Sequence, residues 1–381
     1  MHINETPAIE VAKHLAQKFA TRADEADRAG KLPAEDVQAL KDTGYLGISI
    51  PKLYGGQELS LGECVEAHLE LAQGSTSTAL VAAMPIILFG NAREMRPWPE
   101  PAWRRLCLAT VTEGALVNSV ASEPLLGSPS RGGLPATYAR PNPDNDGWLV
   151  NGHKTWITGG RYLTHMVVSL RIDDEPATLL IRHDSPGVEW VDTWGDALSL
   201  RASDSHDVYF KDVLEPEENL LQRGGSPAKG PLHAWAPMII SSVYLGAAFA
   251  ARNALIKYAL ERVPSALGKP IATLPKIQRQ IGEIDVALQA ARALLFEVAH
   301  QWTGKFEDHP RLYPRIVAAK CQAIAAASET TEKALHVAGG LSITRALPLE
   351  RHFRDVQAGA MHPPSGDAAF EIVGRQAIGK L

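Results

Sequence analysis

The chain has no surplus of positive charge. Its 38 basic side chains are outnumbered by 43 acidic ones, for a net charge of −5. A surface built to neutralise nucleic-acid phosphates is therefore excluded. Cysteine is scarce. Cys64, Cys107 and Cys321 lie far apart, odd in number, in apolar helical contexts. No C-x-x-C pair occurs, so a disulfide scaffold is excluded and reduced structural thiols in a cytoplasmic compartment are expected. The 13 histidines are scattered, with no H-E-x-x-H and no metal-ligand spacing, so no metal site is expected. Neither G-x-G-x-x-G nor a Walker loop occurs, which argues against Rossmann and P-loop enzymes. Met1-His2-Ile3-Asn4-Glu5-Thr6 lacks a basic n-region and an apolar h-region, so no signal peptide is expected. The longest apolar run, 79–89, is too short to span a bilayer and contains Pro85; no membrane segment is expected.

What is present is the composition of a globular protein. Of 381 residues, 45% are hydrophobic and 21% charged, enough for two or three domain-sized units. Residues 8–29 carry Ile9, Ala12, Leu15, Ala16 and Phe19 at a helical period. A second helical stretch, 33–43, meets Gly44 as a stop signal. Ile48-Ser49-Ile50-Pro51 reads as an extended piece. Helices restart over 61–72 and 77–83 after Ser60 and Ser75, both good N-cap types. From Val117 the period changes to short apolar or alternating runs: 148–150, 155–158, 166–168, 177–181, 187–191 and 207–210. Asp144-Asn145-Asp146-Gly147 and Ser185-Pro186-Gly187 are among the turns between them. Long helical periods return over 237–263, 274–302, 311–338 and 366–378, after a hinge at Gly224-Gly225-Ser226-Pro227. The prediction is an α+β protein: an N-terminal helical domain over 1–115, a middle β-barrel over 116–228 and a C-terminal four-helix bundle over 229–381.

Short motifs recur along this plan. Gly47-Ile48-Ser49-Ile50-Pro51 and Tyr54-Gly55-Gly56 come first. Ser119-Val120-Ala121-Ser122-Glu123-Pro124 with Gly127-Ser128, Asn151 to Gly160 (NGHKTWITGG), Arg201-Ala202-Ser203-Asp204-Ser205 and Val208-Tyr209-Phe210-Lys211-Asp212-Val213 follow. Tyr258-Ala259-Leu260-Glu261-Arg262, Gly339-Gly340 and Arg354-Asp355 complete the set. Each is weak alone; in this order, over nearly the whole chain, they resemble the acyl-CoA dehydrogenase superfamily. The resemblance implies that fold and a flavin, FAD with FMN as the alternative. Trp156, Ile157 and Thr158 would clamp the ring and its N5 edge. Ser122 would serve the pyrimidine edge, where negative charge builds on reduction. Ser128 would lie near the pyrophosphate or the thioester arm. Arg262 would reach the cofactor phosphates from a neighbouring subunit, and Gly339 and Gly340 match the family's glycine pair. It also implies a small-molecule substrate, acyl-CoA among the candidates, a homodimer or homotetramer formed through the bundle, and an electron acceptor or flavin reductase. No nucleic acid or membrane partner is expected.

The chain departs from the family where the chemistry is done. α,β-Oxidation of an acyl thioester needs a carboxylate to take the α-proton. Eight residues beyond Asp355, where most members have Glu-Gly, this chain has Pro363-Pro364; at the alternative position it has Ala236. The gap is filled by Met361-His362-Pro363-Pro364-Ser365, which resembles the monooxygenases of the same fold. These use reduced flavin and O2, and His362 would protonate the flavin-bound peroxide. Asp367, on the first turn of the last helix, is the substitute carboxylate, against a plain role as helix N-terminal charge. Ser365 is read as the cap of that helix. Asp355 is read as the ion-pair partner of Arg354, and Glu123 as structural. The leading expectation is a flavin-dependent oxidoreductase acting on an acyl thioester or related small substrate through N5. The alternatives are a monooxygenase using His362 and a non-catalytic flavin- or acyl-binding homologue.

Overall fold

The computed structural model describes residues 7–126, 133–144, 147–224 and 232–379. Helices come first: α1 (Pro7–Ala20), α2 (Ala23–Ala29), α3 (Ala34–Asp42), α4 (Leu61–Ala72), α5 (Thr76–Met95) and α6 (Glu100–Glu113). The stripe read in the sequence, Ile9 to Phe19, is the buried face of α1. Ser60 opens α4 with a capping box, exchanging hydrogen bonds with Glu63. Ser75 opens α5 by accepting from the Thr78 N–H.

Two local expectations fail. Residues 48–50 turn, and only Pro51 has an extended backbone. They follow a 3-10 turn, Tyr45–Gly47, because Tyr45, Leu46, Ile48 and Ile50 are all drawn into the core. Helix α5 does not stop at Ala83 but runs through Pro85 to Met95. It is buried on nearly every side, so packing outweighs the hydrogen bond that the proline removes.

The middle strands are β1 (Val117–Val120), β2 (Tyr138–Pro141), β3 (Trp148–Ile157), β4 (His165–Ile172), β5 (Glu175–Arg182), β6 (Val188–Val191), β7 (His206–Glu215) and β8 (Leu220–Arg223). They form one mixed sheet in the order β6-β7-β3-β2-β4-β5-β8, with β1 paired in parallel to β4. Among the described residues β6 and β8 stand at opposite ends of that order, and the sheet is the middle β-domain expected from the sequence. β2 and β8 escaped the sequence reading because each is only four residues long and mostly exposed or half-buried.

The bundle contains α7 (Trp235–Glu261), α8 (Pro275–Gln301), α9 (His309–Ala338) and α11 (Gly366–Ala377), plus a short helix unread in the sequence, α10 (Leu349–Val356). α7 is long and apolar enough to cross a membrane by length and composition, and most of it is buried inside the protein. Helix α10 joins the layers. Arg351 pairs with Asp24 at 2.8 Å and Arg354 with Asp27 at 2.7 Å, both on α2. Asp355 corrects its expected role: Arg354 takes Glu350 and Asp27, whereas the Asp355 carboxylate accepts from the Leu200 N–H at 2.8 Å. Its burial pushes the pKa up to about 6. Ser365 precedes α11 but its side chain makes no cap hydrogen bond.

Candidate functional site

A cleft of about 990 Å³ lies where α5, the sheet and the start of α7 meet. Its floor is the far half of α5, with Met84, Ile87, Leu88 and Met95. The position of that floor is set by Glu94, whose carboxylate accepts from the indole N–H groups of Trp235 at 2.7 Å and Trp302 at 3.2 Å. Those bonds tie α5 to the bundle beside the cleft.

The sheet wall carries Asn118, Ser119, Trp156 and Thr158. β3 slips register against β7 between Lys154 and Ile157, and Trp156 sits there with φ of 60°. The irregularity re-aims the side chain. Trp156 is 64% exposed although its neighbours on β3, Thr155 and Ile157, are both buried. Beneath it, Lys154 and Glu123 form a buried ion pair at 2.7 Å. Glu123 also accepts from the N–H groups of Ala136 and Thr137. Lys154, the nearby Thr137 N–H and their hydrogen bonds outweigh burial and hold its carboxyl below the usual range. Thr158 is fixed at both ends: its hydroxyl bonds Ser205 at 3.0 Å, Ser205 bonds Ser203 at 2.8 Å, and its carbonyl accepts from Asn118 Nδ2.

The bundle wall carries His233, Ala236, Ile240 and His362. His362 Nε2 lies 2.8 Å from the Tyr244 hydroxyl, and the His362 carbonyl accepts from Lys320 Nζ at 3.0 Å. Burial, and then the Lys320 charge, push the imidazole pKa down to about 4. The imidazole is therefore neutral near pH 7. The protein packed around His233, and then His309, also lower its pKa. Among the described residues lining the cleft, no Asp, Glu, Lys or Arg appears.

The structure thus brings Trp156, Thr158 and His362 together. Other candidate residues lie elsewhere. The Ile157 side chain is 2% exposed and belongs to the core, so it offers no side-chain contact. Ser122 stands beside the cleft wall, its carbonyl accepting from the Thr155 N–H. Asp367 is exposed on α11 and lines no part of the cleft. Gly339 and Gly340 are exposed at the end of α9, away from the cleft. Arg262 is exposed at the far end of α7, roughly 40 Å along the helix axis from Ala236 at 1.5 Å per residue. Ser128 lies outside the described residues. Sequence reasoning missed Tyr244, Lys320, Asn118 and Ser205. Only Ser205 carried a signal, within the Arg201–Ser205 motif. No group of His, Cys, Asp and Glu placed to hold a metal occurs among the described residues.

This arrangement matches three family domains in order: acyl-CoA dehydrogenase N-terminal domain over residues 7–100, middle domain over 119–213 and C-terminal domain over 238–364. The chain belongs to the acyl-CoA dehydrogenase family. It shares the family's three-part fold and is an oxidoreductase of that superfamily. It is 34% identical to "Putative acyl-CoA dehydrogenase YdbM" of Bacillus subtilis (strain 168), over 96% of this chain and 94% of that protein. The structure of KijD3 in complex with FMN and a dTDP-linked amino sugar is similar at a TM-score of 0.83 and 26% identity, covering 100% of this chain and 96% of that one. The dibenzothiophene monooxygenase TdsC of Paenibacillus sp. A11-2 shares the fold at a TM-score of 0.81 and 24% identity, over 98% and 97% of the two chains.

Proposed function

We propose that this acyl-CoA dehydrogenase family member is a reduced-flavin, O2-dependent monooxygenase of a small neutral substrate, not an α,β-dehydrogenase of acyl thioesters. One observation carries the reading: the only titratable side chains among the described residues lining the cleft are His233 and His362. A thioester dehydrogenase needs a carboxylate there to remove the α-proton. Pro363 is exposed, Ala236 has no proton acceptor, and Asp367 is outside. An imidazole with a pKa of about 4 is a weak base for that proton. As a neutral ring it still offers a hydrogen bond.

The residues present fit a flavin. Trp156 supplies an exposed aromatic face, and Thr158 and Asn118 supply polar groups along one edge of an otherwise apolar cleft. FAD is the family's cofactor, and FMN is bound in the KijD3 structure. When bound and reduced, the flavin supplies the electrons for activating O2. Trp156 would pack on the ring. Thr158, its hydroxyl oriented by Ser205, would face the N5 edge. His362 would offer a hydrogen bond to the oxygen being transferred. The apolar floor formed by α5 would exclude water. We place Arg262, Gly339 and Gly340 around the cofactor only in an assembly of several copies, which the exposed Phe370, Ile378, Val286 and Ile343 of the bundle side also favour. A flavin reductase is the expected electron source and the cytoplasm the expected compartment.

The test is anaerobic mixing. Acyl-CoA thioesters should leave the flavin unbleached. Chemical reduction followed by O2 and a neutral aromatic amine or thioether should give a product one oxygen heavier. Bleaching by any acyl-CoA would restore the dehydrogenase reading.

A further inference from the structure

Resting on that reading of the cleft, we infer that Tyr244 is the positioning residue of His362: its hydroxyl donates to Nε2 and so fixes the imidazole as the tautomer protonated on Nδ1. A count of hydrogens fixes the direction of that bond. Tyr244 is fully buried on α7, and among the described residues its hydroxyl has one hydrogen-bond partner, Nε2 at 2.8 Å. If Nε2 carried the proton and donated to the phenol oxygen, the phenol O–H would be left buried with no acceptor. Orphaned buried donors are rarer and costlier than under-used acceptors. The phenol therefore donates. Nδ1 then holds the ring's own proton, and no described residue accepts it; the residue lines the cleft.

The surroundings reinforce this state. Lys320 on α9 is 3% exposed, and its ammonium makes its one described hydrogen bond to the His362 carbonyl. A fixed positive charge beside the ring opposes a second proton on it. Gly359 allows the close approach: a Cβ there would stand 2.8 Å from Ile324 Cδ1 and 3.1 Å from the Tyr244 ring. The turn Gln357–Met361 therefore rests directly on Tyr244 and presents His362 to it. The ring centroids are 5.7 Å apart, with planes tilted by 41°. Nothing in the sequence links two residues so far apart.

The test reads the tautomer itself. Nitrogen-15 NMR of histidine-labelled protein without flavin, with the His362→Gln spectrum subtracted, should show at neutral pH an unprotonated Nε2 and a protonated Nδ1. Tyr244→Phe should turn that signal into an average of both tautomers. With reduced flavin it should lower kcat about tenfold, the weight of one hydrogen bond, with KM nearly unchanged. A wild-type spectrum with Nε2 protonated, or one that Tyr244→Phe leaves unaltered, overturns the proposal. The expected spectrum without any oxygenated product would instead overturn the monooxygenase reading and leave the tautomer assignment standing.

Discussion

The two walls of the cleft are built on different terms. The sheet wall is held by paired partners on every side: Lys154 on Glu123, Thr158 on Ser205 and Asn118. It keeps the motif residues read in the sequence. The bundle wall has Ala236 and Pro363 where the family keeps its carboxylates, and it holds one imidazole through a phenol and an ammonium that no motif records. On the proposed function, one wall would hold the flat cofactor and the other would decide what is done with it.

That contrast can be broken from either side. The largest effect belongs to the sheet wall. Lys154→Met strands the buried Glu123 carboxylate and should cost about 3–5 kcal/mol of stability, read by urea denaturation. A loss under about 1 kcal/mol would mean that the pair does not organise this wall. Next comes His362→Ala, which should fold, bind flavin normally and lose on the order of 10²-fold in turnover, releasing hydrogen peroxide in place of product. Near-native turnover would move the chemistry off the bundle wall. Trp156→Ala removes an exposed stacking face and should weaken flavin binding about tenfold, measured by fluorescence titration. An unchanged Kd would detach the ring from that wall.

The smallest effect is a pH slope shared by both regions. His68, His165 and His362 have folded pKa values pushed down to about 4 from 6.5. The unfolded chain then binds protons that the folded one refuses, so their contribution is full above pH 6.5 and is lost as pH falls towards 4. Asp355 runs the other way: its pKa is raised from 3.8 to about 6, so its contribution is full below pH 3.8 and is lost as pH rises through 6. Burial also lowers His233 and His352 and raises Asp36, Asp204 and Glu215; the five imidazoles should outweigh the four carboxyls. The calorimetric Tm should drop between about pH 6.5 and about pH 4.5, and a Tm that rises over that window would contradict the burial of these rings.

Helix positions were legible because periodicity reports burial directly. Residues 61–72 were read to the residue, since a capping serine and an apolar stripe agree there. α5 was cut short because local signals at Pro85 say stop while surroundings far off in sequence say continue. In the site, Trp156, Thr158 and His362 were legible through ordered motifs. Tyr244 was not, being one apolar-looking residue on a helix buried all round, whose meaning depends on a loop 118 positions away. The Ile157 side chain points into the core because a strand sends alternate side chains to opposite faces, and adjacency to Trp156 says nothing about sharing its direction.

Helix α7 has its one proline, Pro237, in the first turn and none in its interior. A long helix lacking an interior proline has little means of bending sharply. Ala236, Ile240 and the Tyr244 brace therefore travel as one stiff beam. α5, facing them, carries Pro85 at its middle, just before Ile87, Leu88, Asn91, Ala92 and Met95 of the cleft floor. On the proposed function, the α5 floor is therefore the side of the cleft with a break in its hydrogen-bond ladder, opposite the wall that Tyr244 braces.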